Sequence, residues 1–358
     1  MTAGAEAGSA ALPTWPRSAP AAITSAVLRA RLEDFQVEER MAIVPSGAGE
    51  HLWLRIRKRG FNTDTVARLL ARTAGMARRD VGYAGMKDRN AVTTQWFSLH
   101  LAGRPDPDWR GLPEGIDVLE AVRHPRKLKT GALTGNCFTL VLRDCRGDPQ
   151  AAPQRIEAIR RDGVPNYFGE QRFGRDGANV AHALAMFAGI ETVRDRHRRG
   201  LYLSAARSLL FNEVLAERVR AGNWNEILAG EACMLAGRNS FFVAGQPGAV
   251  LQRRLAEHDI HPSGPLWGAG ELPSRAAVQE LEQRVADRHP DLVQGLKAAG
   301  LRQERRALRV IPEALSAEPL ADNAWRLRFC LPAGSYATAV VRELADYRAS
   351  GTSLEGNE

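Results

Sequence analysis

Cysteine is scarce in the sequence: Cys137, Cys145, Cys233 and Cys330 are the only four. None forms a CxxC pair and none stands at zinc-ligand spacing from a histidine. His258 and His261 lie close together but lack a Cys or acidic ligand at metal spacing. No metal and no disulfide framework are expected, and so few thiols in a long chain point to a reducing compartment. Cys137 and Cys330, inside strand-like runs, read as small hydrophobes. Long apolar runs are missing too, since nothing approaches the ~18 residues a membrane span needs. Residues 1–20, rich in Ala, Pro and Ser, lack the charged start and apolar core of a secretory signal. These absences predict a soluble cytoplasmic protein whose residues 1–20 form a disordered tail. Neither common Gly-rich phosphate loop occurs, nor HExxH, nor Gly-x-Ser-x-Gly. A methyltransferase would need a Gly-rich nucleotide loop inside a parallel βαβ pattern, and that is absent as well. No repeat, coiled-coil seam or long apolar edge suggests assembly, so a monomer is expected.

What is present is an ordinary globular composition, 44% hydrophobic and 25% charged over 358 residues. At ~150 residues per domain this length suggests about two domains. The net charge is +8. An excess of Lys and Arg fits a polyanionic partner, because phosphate contacts release condensed counterions.

Ile23–Leu28 leads into a strand marked by period-2 alternation around Phe35 and Val37, and the same alternation marks strands over His51–Arg57 and from Phe138 through Leu140 to Leu142. Val81–Gly85 reads as a short strand ending in a turn, and Trp96–Leu101 resumes strand character. Asn62 and Thr63 can cap a helix striped by Val66, Leu69, Leu70 and Met76. Near Pro165 the pattern turns mainly helical and stays so to about residue 310, with Ser204 as the cap of a long amphipathic run. A strand returns over Trp325–Leu331, followed by a closing helix capped by Ser335. Two designs fit: sequential domains, or one domain interrupted by an insertion. The insertion is preferred, because a lone C-terminal strand needs the N-terminal sheet to satisfy its ladder. The predicted division is a tail over 1–20, a catalytic domain over 21–164 plus 311–358, and an insert over 165–310.

Three stretches could carry chemistry. Gly85-Met86-Lys87-Asp88-Arg89-Asn90 sets an acid between two cations just past a strand end, where catalytic groups are often held. Lys87 and Arg89 would favour the charged form of Asp88, a metal-free nucleophile or base; a solvated surface turn is the commoner use of such a tripeptide. Asn136 and Phe138 stand at the mouth of a strand, where an amide can orient a carboxylate and a ring can stack on a base. Phe138 is equally placed to be a core residue with Leu140 and Leu142. Asn166–Gly174 interleaves three aromatics with Arg, Asn and Gln, which suits a domain junction and, secondarily, RNA contact. Basic runs at Arg55–Arg59, Arg123–Lys129 and Arg194–Arg199 could track phosphates.

In this order, these pieces resemble the TruD family of tRNA pseudouridine synthases. The resemblance is carried by Glu33–Glu39, Ala84–Trp96, Gly131–Leu140, Pro165–Gly174, Leu203–Ser208 and Leu331–Thr338. It implies conversion of a tRNA uridine, typically at position 13, to pseudouridine, with no cofactor. The implied fold is α+β: a pseudouridine-synthase domain with a mixed, largely antiparallel sheet, interrupted by a mainly helical family-specific α/β domain. Asp88 matches the catalytic aspartate, and Asn136 and Phe138 match positions at the target nucleotide. Phe35 and Phe329 match further substrate contacts. Arg29 stands where family members often carry Lys, so a fork replaces a point charge. Lys87 and Arg29 would steady negative charge, while Arg126, Lys127 and Lys129 would grip RNA. The alternative is a catalytically silent RNA-binding protein of the same fold; a generic basic metabolic enzyme leaves the aromatic–Arg interleaving unexplained.

Overall fold

The computed structural model is described over residues 13–148 and 151–349. Among these, the chain divides into two compact units: 21–148 with 151–157, 312–334 and 344–349, and 13–20 with 158–311 and 335–343. In the first unit the chain lays down β1 (Ile23–Leu28), β2 (Phe35–Met41), β3 (His51–Arg59) and α1 (Thr63–Thr73). Then come β4 (Val81–Tyr83), β5 (Val92–His100), β6 (Ile116–His124) and β7 (Leu133–Gly147). Helix α2 (Ala151–Asp162) precedes β8 (Val164–Pro165), α3 (Ala178–Phe187), α4 (Arg196–Arg220), β9 (Ala232–Leu235) and β10 (Phe241–Val243). The second unit continues with α5 (Ala249–Ala256), β11 (Ile260–Leu266), α6 (Ala276–Asp287), α7 (Pro290–Ala298), β12 (Glu304–Ala307) and β13 (Arg309–Val310). The described residues end in β14 (Glu313–Leu320), β15 (Ala324–Pro332), α8 (Ala337–Leu344) and β16 (Ala345–Ala349).

The first unit is built on one ten-stranded sheet in the order β14-β15-β7-β2-β5-β3-β6, with β1 beside β7 and β16, and β4 beside β5. Only β1–β16 and β2–β5 are parallel among these pairs. The sheet is therefore mixed and largely antiparallel, as the α+β reading expected. The C-terminal strand β15 finds its ladder partner in β7, with Phe329 opposite Phe138 and Leu331 opposite Asn136. Alternation explains the faces. In β2, Phe35, Val37 and Glu39 are buried and Gln36, Glu38 and Arg40 exposed. In β3, Leu52, Leu54, Ile56 and Lys58 share a buried face. Helix α1 covers that face, packing Val66, Ala67, Leu70 and Ala71 against Leu52, Leu54, Ile56 and Phe97.

The second unit is mainly helical, as expected, but also holds a four-stranded sheet in the order β10-β9-β11-β12. Its core forms along α4, where Tyr202, Leu209, Leu210 and Phe211 meet Tyr167, Phe168, Phe173 and Trp267. The helix begins earlier than the sequence suggested. Asp195 is its N-cap, accepting from the Arg198 amide at 2.9 Å, and Ser204 lies a few turns in, accepting from Arg172. Of the predicted tail, residues 1–12 lie outside the described residues. Residues 13–20 are held rather than loose: Trp15 stacks on Tyr167 at 5.9 Å, and the Ser18 hydroxyl donates to Glu343 at 2.6 Å.

One expectation is corrected outright. Cys137 and Cys330 are not free hydrophobes but joined in a disulfide across β7 and β15. They stand 193 residues apart, so only the strand register brings them together. Cys145 and Cys233 are free.

Candidate active site

The loop between β4 and β5 carries Lys87 and Asp88. The Asp88 side chain is 40% exposed and accepts from Arg29 Nη2 at 2.7 Å. Arg29 directly follows β1, and its guanidinium carbon lies 3.9 Å from the centroid of the Phe35 ring. Phe35 in turn meets Phe138 edge-on at 6.3 Å, and Phe138 stacks on Phe329 at 5.4 Å. All three rings are buried on one face of neighbouring strands β2, β7 and β15. Register puts Asn136 on that same face, opposite Glu39. Its Oδ1 is buried without a hydrogen-bond partner.

The cations sort themselves differently from the sequence reading. Lys87 turns away from its neighbour Asp88 to pair with Glu39 at 2.7 Å, with both side chains almost fully buried. The second Glu39 oxygen accepts from the Trp96 amide at 3.0 Å. Arg89 stays exposed. Arg29, 59 residues away in sequence, supplies the cation at Asp88.

Backbone tethers hold the loop. The Lys87 amide donates to Thr63 Oγ1 at 2.9 Å, and Gln95 Nε2 donates to Gly85 O at 3.0 Å. The Thr63 hydroxyl donates to Gln95 Oε1 at 2.9 Å, which joins the two tethers. Thr63 thus serves the loop rather than capping α1, which has Asn62 at its N-cap with no side-chain bond. Lys58 reaches in from β3, and its ammonium donates to the carbonyls of Phe61 and Asp88 at 2.6 and 3.0 Å. Burial pushes this amine down to about 8, with Lys87 adding to the shift and Asp88 opposing it.

Comparison with known proteins places this geometry. The family model described as tRNA pseudouridine synthase D (TruD) matches residues 20–186 and 180–344. The chain belongs to the TruD family. The tRNA pseudouridine synthase D of Xanthomonas euvesicatoria pv. vesicatoria is 50% identical over 352 residues, covering 94% of this chain and 95% of that one. Its namesake in Methylococcus capsulatus is 49% identical, covering 90% and 92%. A solved structure titled a putative tRNA pseudouridine synthase D from Methanosarcina mazei has a TM-score of 0.70 at 21% identity, covering 93% of this chain and 96% of that chain. At that identity it speaks for the TruD fold alone.

The motifs that carried the TruD resemblance fall in two places. Lys87, Asp88, Arg29, Phe35, Asn136, Phe138 and Phe329 are brought together on the first unit. The aromatic stretch Asn166–Gly174 instead feeds the second unit's own core: Tyr167, Phe168 and Phe173 are buried there, with Arg306 over the Phe168 ring at 4.1 Å. Glu39, Lys58, Thr63 and Gln95 were not predicted. The signal was parity: Glu39 follows Phe35 and Val37, and Lys58 follows Leu54 and Ile56, at the spacing of an apolar face.

Arg126, Lys127 and Lys129 lie exposed on the segment after β6. Between them Leu128 is buried, with its amide on Ser98 Oγ at 2.9 Å. The segment runs so close to β4 that a Cβ at Gly82 would sit 2.3 Å from Leu128 O. Further on, the Gly131 amide donates to Ala84 O at 2.8 Å, tying the segment to the Asp88 loop. The run Arg55–Arg59 is spent internally by comparison: Arg55 pairs with Glu38, Arg57 with Asp117 and Arg59 with Glu33. Among the described residues no cluster of three His, Cys, Asp or Glu could hold a metal ion. Nor is any described helix long and apolar enough to cross a membrane.

Proposed function

We propose that the protein isomerises uridine to pseudouridine in tRNA, at position 13, with Asp88 as its catalytic carboxylate. The observation that carries this reading is a half-exposed aspartate, gripped on one oxygen by Arg29, on the loop of a TruD-family chain. The reaction breaks N1–C1′, forms C5–C1′, removes the C5 proton and returns one to N1. Atoms and oxidation state are conserved, so the chemistry calls for no redox or group-donating cofactor.

A target uridine must first be extruded, at an unstacking cost of a few kcal/mol. Asp88 then starts cleavage of the N-glycosidic bond, by attacking the nucleoside or by removing a sugar proton. Both routes use a charged carboxylate, and Arg29 binds Oδ2, leaving Oδ1 for the nucleoside. The unpartnered Asn136 Oδ1 suits an N–H of uracil. Phe138, backed by Phe35 and Phe329, would face the detached base, and Arg29 would balance charge at the site, while Lys87 is held by Glu39. Arg126, Lys127 and Lys129 would hold phosphates. Residues 21–164 with 311–358 form the catalytic domain in this reading and 165–310 the inserted one, working as a monomer in the cytoplasm.

The test is nucleoside analysis of unmodified tRNA incubated with wild type and Asp88→Asn, chelator present. Pseudouridine from wild type alone is the expected result. Product from Asp88→Asn would remove Asp88 from its role, and tight tRNA binding without product from either protein would favour the silent RNA-binding reading. Asp88→Ala should keep tRNA affinity within about tenfold, because the role is chemical rather than an electrostatic grip.

A further inference from the structure

We propose that Lys58 is a positioning residue whose buried ammonium clamps the backbone of the Asp88 loop and so sets where the Asp88 carboxylate stands. The inference rests on Asp88 being the catalytic carboxylate and goes on to name what fixes it.

Lys58 is fully buried at the end of the Leu52–Leu54–Ile56 face of β3. Its three hydrogens meet three carbonyls: Phe61 O at 2.6 Å, Asp88 O at 3.0 Å and Lys87 O at 3.4 Å. Among the described residues no carboxylate forms an ion pair with it. A buried cation satisfied only by carbonyl dipoles is costly for stability. An apolar side chain of the same length would complete that face at lower cost, so the benefit must lie in what the ammonium holds. It holds two successive carbonyls of the catalytic loop. The Thr63 and Gln95 tethers reach Lys87 N, Gly85 O and, at 3.5 Å, Lys87 O, but not Asp88 O. Among the described residues, Lys58 alone donates to the Asp88 backbone carbonyl. A shift of about an ångström at a reacting group can cost ~100-fold in rate, and the carbon of this carbonyl is about three bonds from the Asp88 carboxylate carbon.

The clamp has a built-in pH limit. Burial lowers the amine to about 8, with Lys87 adding to the shift and Asp88 opposing it. Lys87 is itself paired with Glu39 from β2. The other neighbours, Phe61 and Thr63 before and in α1, Thr93 on β5 and Ile116 on β6, do not titrate in this range. A neutral amine has two hydrogens for three carbonyls and donates more weakly. The rate should therefore fall as pH rises through about 8. Stability moves the other way: between about 8 and the unfolded value of 10.5 the unfolded chain binds more protons. This group's contribution to stability consequently rises with pH, so its deprotonation does not itself unfold the chain.

The experiment measures single-turnover rate and KM on unmodified tRNA for wild type, Lys58→Met and Asp88→Asn, from about pH 6 to 9.5. Lys58→Met is expected to lose roughly 10- to 100-fold in rate with KM within about twofold, and to lack the alkaline fall near pH 8 that wild type shows. A Lys58→Met rate equal to wild type, or an alkaline fall unchanged in it, overturns the proposal. If Lys58→Met does not fold, a wild-type rate constant from about pH 7 to 9.5 does the same. An active Asp88→Asn instead overturns the reading of Asp88 beneath it.

Discussion

Arg29 meets Asp88 from a backbone conformation that costs a non-glycine residue on the order of 1 kcal/mol, its φ being 64°. Two interactions offset that cost: the 2.7 Å bond to Asp88 and the stacking over Phe35. A lysine would keep the charge but lose the planar fork and the face-to-face contact. Arg29→Lys should therefore lower the single-turnover rate about tenfold and Arg29→Ala about 100-fold, in line with the ~1.5–3 kcal/mol of a charge-assisted bond. Equal rates for Arg and Lys would mean that a point charge is enough at Asp88. Glu39 is a different case, since it acts on the fold around the site. Its pair with Lys87 is buried, at 0% and 5% side-chain exposure, and removing one charge strands the other. Glu39→Gln should destabilise by about 3 kcal/mol in urea unfolding; a loss under about 1 kcal/mol would show that Lys87 finds another partner or water.

Among the elements, the strands were the most legible part of the sequence. Period-2 runs gave β2, β3, β7 and β15 directly, and the need of β15 for a ladder partner pointed to the N-terminal sheet, where β7 supplies it. Strand β6 was missed because only Ile116 and His124 of its nine residues are buried, so an edge strand shows no apolar alternation. Strand β11 was hidden by Pro262 and Pro265, which demote a run on any local reading. The site was legible as residue types but not as pairings. Asp88–Arg29 and Lys87–Glu39 are separated by 59 and 48 residues, and only the parallel β2–β5 register and the turn after β1 make them neighbours. The same limit hid the Cys137–Cys330 link, an effect of β7–β15 pairing. Its consequence is countable: of four cysteines, denatured unreduced protein should titrate two thiols, and all four only after reduction. Four without reductant would show the strands unlinked. In the native protein at pH 8 those two should also alkylate slowly, because burial pushes Cys145 up to about 11 and Cys233 up to about 12.

For the molecule as a whole, a net charge of +8 says less about tRNA than where the uncompensated cations stand. Two basic runs that look alike in sequence differ in the fold. In Arg55–Arg59, three arginines pair with carboxylates on β2, on β6 and in the turn before β2, and Lys58 is buried. In Arg126–Lys129 the three cations are exposed; Lys127 donates to Arg79 O at 2.5 Å, which leaves its charge unneutralised, and the segment is anchored to the Asp88 loop through Gly131. Phosphates should therefore release counterions at the second run and gain little at the first. Neutralising Arg126, Lys127 and Lys129 together should weaken tRNA binding and flatten the slope of log K against log salt by up to about 3, roughly one per lost phosphate contact. Neutralising Arg55 and Arg57, whose partners Glu38 and Asp117 already balance them, should change the slope by less than about 1. Equal slopes for both variants would mean that net charge alone governs the affinity. A larger effect from Arg55 and Arg57 would mean that tRNA displaces Glu38 and Asp117, moving the RNA path onto the outer face of β3.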